Sequence, residues 1–154
     1  MKIREAKRKD IEEISSILLE VADLHEKGKP DVFKPKTLEE IKKYISKSLT
    51  DNNSKLIVYE EEKILGVIIY KTKIVENHKS LKNSKILWID EIGVKEGYKK
   101  HGIGKKLMLY AKEEAKKDNC DRLELNCWSF NKDAIEFYKK IGMKEQRINL
   151  EFEI

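Results

Sequence analysis

In residues 89–106 the sequence changes from a strand pattern to a helix pattern through a short basic turn. This change limits how the segment can fold. The segment reads Ile-Asp-Glu-Ile-Gly-Val-Lys-Glu-Gly-Tyr-Lys-Lys-His-Gly-Ile-Gly-Lys-Lys. β-rich sequence ends at Val94, the turn at 95–101 is polar, and a Gly-x-Gly pair then opens a helix with apolar residues at four-residue intervals. Together with the alternation of helical and strand patterns along the chain, this predicts a layered α/β fold.

The rest of the chain also switches between the helical and the strand period. Capping-box pairs, Asp10 with Glu13 and Thr37 with Glu40, mark the starts of the first two helices. A glycine and both prolines fall between these helices, so residues 25–36 are predicted to be a loop. The predicted elements are a strand at Lys2–Ala6, a helix to about Leu24, a second helix after Thr37, a hairpin of Lys55–Glu60 and Ile64–Ile74, a strand at Lys85–Val94, a helix from Gly102 to about Asn119, a strand at Arg122–Cys127, a helix at Asn131–Ile141, and one or two closing strands within Met143–Ile154.

This order, β-α-α-β-β-β-α-β-α-β, predicts a mixed α/β (α+β) arrangement in which the helices cover a sheet. The chain has no internal repeat, no low-complexity segment and no linker rich in Pro, Gly or Ser. We therefore expect a single domain spanning residues 1–154, because 154 residues suit one domain of ordinary size.

Composition excludes several classes of protein. The apolar runs are far shorter than the roughly 20 residues that a membrane helix needs, and the N-terminus has no apolar core of a secretory signal. Two cysteines are too few for a disulfide framework or a zinc site, and three histidines make a His-rich metal site improbable. We expect a cytoplasmic protein with reduced thiols, no resident metal and no membrane partner.

The net charge of +5, from 33 basic and 28 acidic residues, allows two kinds of partner. One is a nucleic acid and the other is an anionic small ligand. Acidic residues are interspersed with the lysines throughout, which is typical of a solvated surface. Arginine, which is favoured in phosphate and guanine recognition, is scarce, so nucleic acid is the less favoured partner.

The basic turn has the parts of a phosphate-binding cradle. A helix N-terminus exposes unpaired N–H groups with partial positive charge, and Gly102 and Gly104 carry no Cβ that would keep a ligand from the backbone. The Walker pattern fails because Lys106 stands where it needs a hydroxyl residue. The Rossmann pattern fails because Leu107 stands where it needs a third glycine.

Two blocks of sequence, one of them in this turn, resemble the motifs of one protein family. Lys99-Lys100-His101-Gly102-Ile103-Gly104 resembles the Gln/Arg-x-x-Gly-x-Gly/Ala signature of the GNAT N-acetyltransferase superfamily. Residues 131–143, Asn-Lys-Asp-Ala-Ile-Glu-Phe-Tyr-Lys-Lys-Ile-Gly-Met, resemble its Asn-x-x-Ala-x-x-Phe-Tyr-x-x-x-Gly-Phe element. The resemblance is close over 85–145 and looser elsewhere. Lys99, Lys100 and Met143 depart from the preferred residues, which are Arg or Gln, Gly, and Phe.

The resemblance implies a fold, a donor and a set of binding residues. The fold is a mostly antiparallel twisted sheet of six to seven strands flanked by four helices. The donor is acetyl-CoA, whose pyrophosphate lies on the Gly-x-Gly turn and whose pantetheine arm lies in a gap between two strands. Carried onto this sequence, the contacts to acetyl-CoA come from Ile92, Val94, Lys99, Lys100, His101, Gly102, Ile103, Gly104, Lys105, Asn131 and Tyr138.

The resemblance also implies acetyl transfer to an amine in a ternary complex. Tyr138 matches the family tyrosine that protonates the leaving thiolate. A carboxylate has to accept the proton of the amine, and both Asp90 and Glu91 are candidates. Alternation along a strand would place these two side chains on opposite faces of the sheet, so we expect only one of them to face the acceptor.

The acceptor side and the oligomeric state are less constrained. His25, Phe33 and Trp128 are candidates for lining the acceptor pocket, and a route through an acyl-Cys127 is the least favoured alternative. The acceptor is a small molecule or a protein amine. A non-catalytic acyl-CoA-binding regulatory module of the same fold is the competing function, and the resemblance allows a homodimer.

Overall fold

A computed structural model describes all 154 residues, with four α-helices and a five-stranded sheet. None of the helices is both long enough and apolar enough to cross a lipid bilayer. A single 3-10 turn at Arg8–Asp10 precedes the first helix. The elements are β1 (Lys2–Glu5), α1 (Ile11–Gly28), α2 (Leu38–Thr50), β2 (Ser54–Glu60), β3 (Ile64–Val75), β4 (Ser84–Val94), α3 (Ile103–Lys117), β5 (Arg122–Glu124) and α4 (Lys132–Lys140).

The sheet confirms the predicted mixed and mostly antiparallel class. Its strands lie in the order β1-β2-β3-β4-β5, and the first three pairs of neighbours are antiparallel. Only β4 and β5 are parallel, joined by a crossover through α3. The order of helices and strands along the chain is therefore the predicted one up to α4.

The predicted number of six to seven strands is wrong, because residues 143–154 form no strand. The fifth strand is also shorter than expected, covering Arg122–Glu124 instead of Arg122–Cys127. An edge strand of three residues offers only a short ladder of backbone donors and acceptors. The alternating C-terminal segment therefore has little edge to pair with inside its own chain.

Two apolar clusters hold the layers together, one on each face of the sheet. On one face, residues of α3 such as Leu107 pack against Ile68. On the other face, residues of α1 and α2 such as Ile14 and Ile45 pack against Val67. All of these side chains have an exposure of zero, and burying each one stabilises the fold by roughly 1.5–3 kcal/mol. The alternation of β3 between the two faces explains why its first half is apolar at every position.

The two predicted capping boxes have different outcomes. At α2 the box is confirmed, since Thr37 Oγ1 accepts from the N–H of Glu40 at 3.2 Å and Glu40 Oε2 accepts from the N–H of Thr37 at 2.8 Å. At α1 the box is wrong, because Asp10 makes no capping bond to the helix. Its carboxylate is held by Arg4 at 2.7 Å, which lowers the pKa of Asp10.

The first helix continues beyond the predicted end at Leu24 and ends at Gly28. A Cβ on Gly28 would collide with the ring of Phe130, so only glycine lets the last turn of α1 lie against that ring. The extra turn places His25 on the helix and not in a loop. The end of α1 is therefore decided by tertiary packing, which helix-breaking residues in the local sequence do not indicate.

Candidate functional site

The turn between β4 and α3 leaves a run of backbone donors free. The N–H of Tyr98 bonds to the carbonyl of Lys95, and the N–H of Lys106 begins the helix by bonding to the carbonyl of Gly102, both at 3.0 Å. The N–H groups of residues 99–105 between them have no hydrogen-bond partner in the chain. A run of unpaired donors at a helix N-terminus is suited to an anion such as a phosphate.

Left-handed backbone conformations shape this turn. Gly97, Lys100 and Gly102 have φ values of +82°, +65° and +80°. Lys100 stands where the resemblance expects glycine, and its positive φ shows why glycine is preferred there: an L residue in this conformation costs about 1–2 kcal/mol. A Cβ on Gly102 would meet no atom within 4 Å, so conformation and not space requires glycine at that position.

Gly104 has a second role that the sequence did not indicate. A Cβ at this position would lie 3.2 Å from Cζ of Phe137 on α4 and 3.7 Å from Cγ2 of Val94 on β4. The first turn of α3 therefore lies close to α4 because Gly104 has no side chain. This contact fixes the distance between the basic turn and the helix that carries Tyr138.

The lysines around the turn are not equivalent. The Nζ of Lys99 is paired with Glu96 at 2.6 Å, and the Nζ of Lys106 lies 3.3 Å from the hydroxyl of Tyr59. Lys100 and Lys105 are exposed and have no carboxylate partner within salt-bridge distance. Of these lysines only Lys99 is neutralised by a carboxylate, and Lys100 and Lys105 have no side-chain partner at all.

A gap opens between β4 and the segment after β5. Parallel pairing of the two strands ends at Trp88 with Glu124, whereas β4 continues to Val94. Ile92 and Val94 therefore have no strand neighbour on that side, and their backbone groups there can pair with an extended ligand arm. Asn131 lies at the N-terminus of α4, where its Oδ1 accepts from the N–H of Ala134 at 3.2 Å. The amide nitrogen of the Asn131 side chain makes no hydrogen bond within the chain.

A β-bulge changes the directions of the two adjacent carboxylates. Ile69 of β3 pairs with Glu91 and the next residue pairs with Ile89, so Asp90 is the extra residue of the bulge. Ile89 and Ile92 both pack against the cluster on the α3 face, although an unbroken alternation would separate them. The expected opposite placement of Asp90 and Glu91 is therefore wrong, since both lie on the face that carries α1 and α2.

The two carboxylates have different partners on this face. Oδ1 of Asp90 lies 3.0 Å from Nζ of Lys71. Glu91 makes no hydrogen bond and no ion pair, and burial, followed by the charge of Asp90, raises its pKa to about 7. Tyr44 of α2 is near both, because burial and then the charges of Glu91 and Asp90 raise the pKa of its phenol. Glu91 is therefore a carboxylate that exchanges protons near neutral pH.

Tyr138 lies on α4 close to the same place. Burial raises the pKa of its phenol, and the charges of Cys127 and Glu91 raise it further, which places all three groups within electrostatic range. The hydroxyl has no hydrogen-bond partner in the chain. Burial also raises the pKa of the Cys127 thiol, which makes this cysteine a poor nucleophile at neutral pH.

The predicted acceptor residues come together in one aromatic cluster. The rings of His25 and Phe33 stack at 5.1 Å, and the ring of Phe33 meets that of Trp128 edge-on at 5.0 Å. Phe130 joins the edge of His25 at 6.1 Å. Burial lowers the pKa of His25. Trp128 directly follows Cys127, whose charge raises the pKa of the Tyr138 phenol, so the chain that carries this part of the cluster passes within electrostatic range of Tyr138.

Sequence reasoning missed two residues of this site, Tyr44 and Lys71. Tyr44 falls among the regularly spaced apolar residues of α2, yet 39% of it is exposed and its phenol is near the carboxylates. Lys71 was indistinguishable from the other lysines of the chain. A polar group on an apolar helix side was the available signal for Tyr44, and no local signal existed for Lys71.

The chain is similar to known proteins in sequence and in fold. The model of the Acetyltransferase (GNAT) family matches residues 18–143. An uncharacterized N-acetyltransferase of Bacillus subtilis (strain 168), YvbK, is 38% identical over 64 residues, and the match spans 42% of this chain and 41% of that relative. The matched region is therefore about two fifths of the length of that relative.

Two crystal structures share the fold over almost the entire chain. A mutant of the BH1408 protein from Bacillus halodurans superposes with a TM-score of 0.94 at 24% identity, covering 100% of this chain and 99% of that one. A possible acetyltransferase from Clostridium difficile 630 superposes with a TM-score of 0.79 at 25% identity, covering 99% and 97%.

Proposed function

Because this chain belongs to the GNAT family of acetyltransferases, we propose that it transfers an acetyl group from acetyl-CoA to a primary amine of a small molecule or a protein. The observation that carries the proposal is the run of unpaired amides at residues 99–105, beside the open edge of β4. The turn fits a pyrophosphate because its donors are free and Lys100 and Lys105 supply unpaired charge. The gap beyond Trp88 fits the extended arm of the same donor.

The first proposed step is removal of a proton from the amine, because an alkylammonium with a pKa near 10.4 has no lone pair to attack with. Transfer to a carboxylate with an ordinary pKa near 4.3 would be uphill by about 8 kcal/mol. Transfer to Glu91, whose pKa is about 7, is uphill by only about 5 kcal/mol. We therefore assign the base to Glu91, with Asp90 and Lys71 as a positioning pair beside it.

The remaining steps use the edge of β4 and the phenol of Tyr138. Acetyl-CoA, when bound, supplies the thioester carbonyl and a thiol leaving group. A backbone N–H of the unpaired β4 edge, at Ile92 or Val94, can donate to the carbonyl oxygen as negative charge develops there. Tyr138 donates its hydroxyl proton to the sulfur as the C–N bond forms and the C–S bond breaks. The second proton of the attacking nitrogen restores the phenol, and Glu91 releases the first proton to solvent. Burial raises the pKa of the Tyr138 phenol, so its anion takes back a proton readily.

The aromatic cluster is proposed to hold the acceptor. Two observations support this: His25, Phe33 and Trp128 form one cluster, and Trp128 directly follows Cys127, which is within electrostatic range of Tyr138. Stacked rings with a half-exposed indole suit the apolar part of an amine, while the two carboxylates and Tyr44 suit its cationic head. This assignment leaves the individual acceptor open and names only its two chemical parts.

The test is release of free thiol from acetyl-CoA by the purified chain in the presence of a panel of primary amines. The expected result is saturable turnover with at least one amine and turnover about 10²–10⁴-fold lower with the Glu91→Gln variant. Calorimetric titration with acetyl-CoA runs in parallel. Saturable binding without turnover on any amine would favour the regulatory module, and absence of binding would overturn both functions.

A further inference from the structure

The last eight residues of the chain carry a strand pattern that nothing covers. Residues 147–154, Arg-Ile-Asn-Leu-Glu-Phe-Glu-Ile, alternate polar and apolar side chains without exception. The apolar set is 75%, 87%, 95% and 115% exposed at Ile148, Leu150, Phe152 and Ile154. Strict alternation is the signature of a strand with one buried face, and exposed apolar groups of this size mark a contact surface.

This segment is held beside the fold without joining its sheet. Nε2 of Gln146 donates to Oε1 of Glu124 at 2.8 Å, and Nζ of Lys29 lies 2.6 Å from Oε1 of Glu151. No backbone group of residues 147–154 bonds to the rest of the chain. The neighbouring edge strand β5 has only three residues and cannot pair with all eight.

We propose that residues 147–154 pair antiparallel with the same residues of a second copy of this chain, about a two-fold axis at Leu150. In this register Leu150 lies opposite Leu150 and Ile148 lies opposite Phe152. Because the offset is even, Ile148, Leu150 and Phe152 of the two copies face one another on one side of the ribbon, and Ile154 at the end lies opposite Gln146. A segment that is complementary to itself in this way produces a closed, isologous dimer.

Charge selects this register over the neighbouring one. With the axis at Leu150, Arg147 lies opposite Glu153 on both strands, which is a favourable cross-strand pair. Moving the axis to Glu151 would place two Glu151 carboxylates directly opposite each other, which is unfavourable. A two-stranded ribbon alone is marginal in water, but here Gln146 and Glu151 tether each strand to a folded body.

The first experiment measures the mass of the full chain by analytical ultracentrifugation at tens of micromolar. The expected result is a dimer for the parent and a monomer for Leu150→Asp and for Phe152→Asp. Leu109→Asp is the matched control, because Leu109 is an apolar residue 47% exposed on α3, outside residues 147–154. This variant should remain a dimer. A monomeric parent, or a dimer that persists in Leu150→Asp, would overturn the proposal.

The second experiment reads the register. Glu153→Arg and Arg147→Glu should each weaken dimerisation by roughly tenfold, and the double variant Arg147→Glu with Glu153→Arg should restore it. In a background of Cys120→Ser and Cys127→Ser, Leu150→Cys should form a disulfide between copies, whereas Phe152→Cys should form little. Cross-linking at position 152 without cross-linking at 150, or no rescue by the double variant, would exclude this pairing.

Discussion

Nζ of Lys71 on β3 lies 3.0 Å from Oδ1 of Asp90 on β4, and this ion pair separates the roles of two adjacent carboxylates. Asp90 has a cation beside it, whereas Glu91 has neither a cation nor a hydrogen-bond donor within reach. Both carboxylates share one face because of the bulge at Asp90. Of two carboxylates that look equivalent in the sequence, Glu91 is thus the one that is buried without a partner, which raises its pKa to about 7.

Replacing the proposed base tests this difference directly. Glu91→Gln should lower turnover by about 10²–10⁴-fold, because a glutamine cannot accept the amine proton. In the parent, kcat/KM should rise with pH and level off above about 7, where the Glu91 carboxylate is ionised. That acidic limb should be absent from the residual activity of the variant. Steady-state rates between pH 5.5 and 8.5 provide the measurement.

Asp90→Asn is the matched control for this experiment. Its loss of activity should be smaller, and its acidic limb should move to lower pH, because the charge of Asp90 helps to raise the pKa of Glu91. If Asp90→Asn abolishes turnover while Glu91→Gln retains it, the two roles are reversed.

The raised pKa of Glu91 also predicts how stability depends on pH. Between about pH 4.5 and about pH 7 the folded chain holds a proton that the unfolded chain has lost, so the free energy of unfolding falls as pH rises through this window. The loss amounts to about 3 kcal/mol when Glu91 is fully ionised. Urea denaturation should therefore find Glu91→Gln more stable than the parent at pH 8, with a smaller difference at pH 4.5. Equal differences at both pH values would contradict the pKa assignment.

Removal of the phenol from Tyr138 should separate chemistry from binding. Tyr138→Phe should lower turnover by about 10²-fold or more, because the leaving thiolate loses its proton donor. The affinity for acetyl-CoA should stay within about twofold, since the ring still packs on α4. Calorimetry and thiol release measured on the same preparation give both quantities. Unchanged turnover would remove Tyr138 from its proposed role.

The conformation of the basic turn can be tested at two glycines that share one geometry. Gly97→Ala and Gly102→Ala each place a Cβ in open space at a φ near +80°, so each should cost about 1–2 kcal/mol of stability. Only Gly102 lies within the run of free amides, so only Gly102→Ala should also weaken acetyl-CoA binding, by roughly tenfold. Equal affinities in the two variants would show that the phosphate is not held by residues 99–105.

Ser15 on α1 provides a test of the packing between the helices and the sheet. Its Oγ is buried and is the one buried side-chain polar atom without a hydrogen-bond partner. Ser15→Ala should stabilise the fold by about 1 kcal/mol and raise the Tm by about 3 °C, because it removes an unpaired buried hydroxyl. Ser48→Ala is the control, since the hydroxyl of Ser48 donates to the carbonyl of Tyr44 at 3.0 Å. This control should be neutral or mildly destabilising in thermal unfolding.

Most of the fold was predictable from local pattern. The strand over Ser84–Val94 and the hairpin before it lie within one residue of their expected bounds, because period-two alternation and turn residues are properties of the chain itself. The predictions of a capping box at α1 and of closing strands were wrong because both features depend on parts of the chain that are far apart in sequence. Asp10 is bound by Arg4 of β1, and β5, the edge strand beside residues 143–154, has only three residues.

The candidate site, like the fold, has some parts that local sequence predicts and others that it does not. The free amides of the basic turn followed from Gly-x-Gly at the start of a helix. His25, Phe33 and Trp128 are in contact, and their role in holding the acceptor stays a prediction. Neither Tyr44 nor Lys71 could be found in the same way. Their place beside the carboxylates depends on α2 and β3 meeting β4 in space, which no spacing within one segment encodes.

The sequence by itself determined the order of helices and strands as far as α4, the turn with its free amides and the pair of carboxylates after Ile89, because each depends on residues close together in the chain. Only the tertiary structure decided which carboxylate is the candidate base. That choice depends on an extra residue in the pairing of β4 with β3, on the ammonium of Lys71, and on the burial of Glu91. A pKa is set by surrounding charge and solvent, and both are supplied by segments far away in the chain.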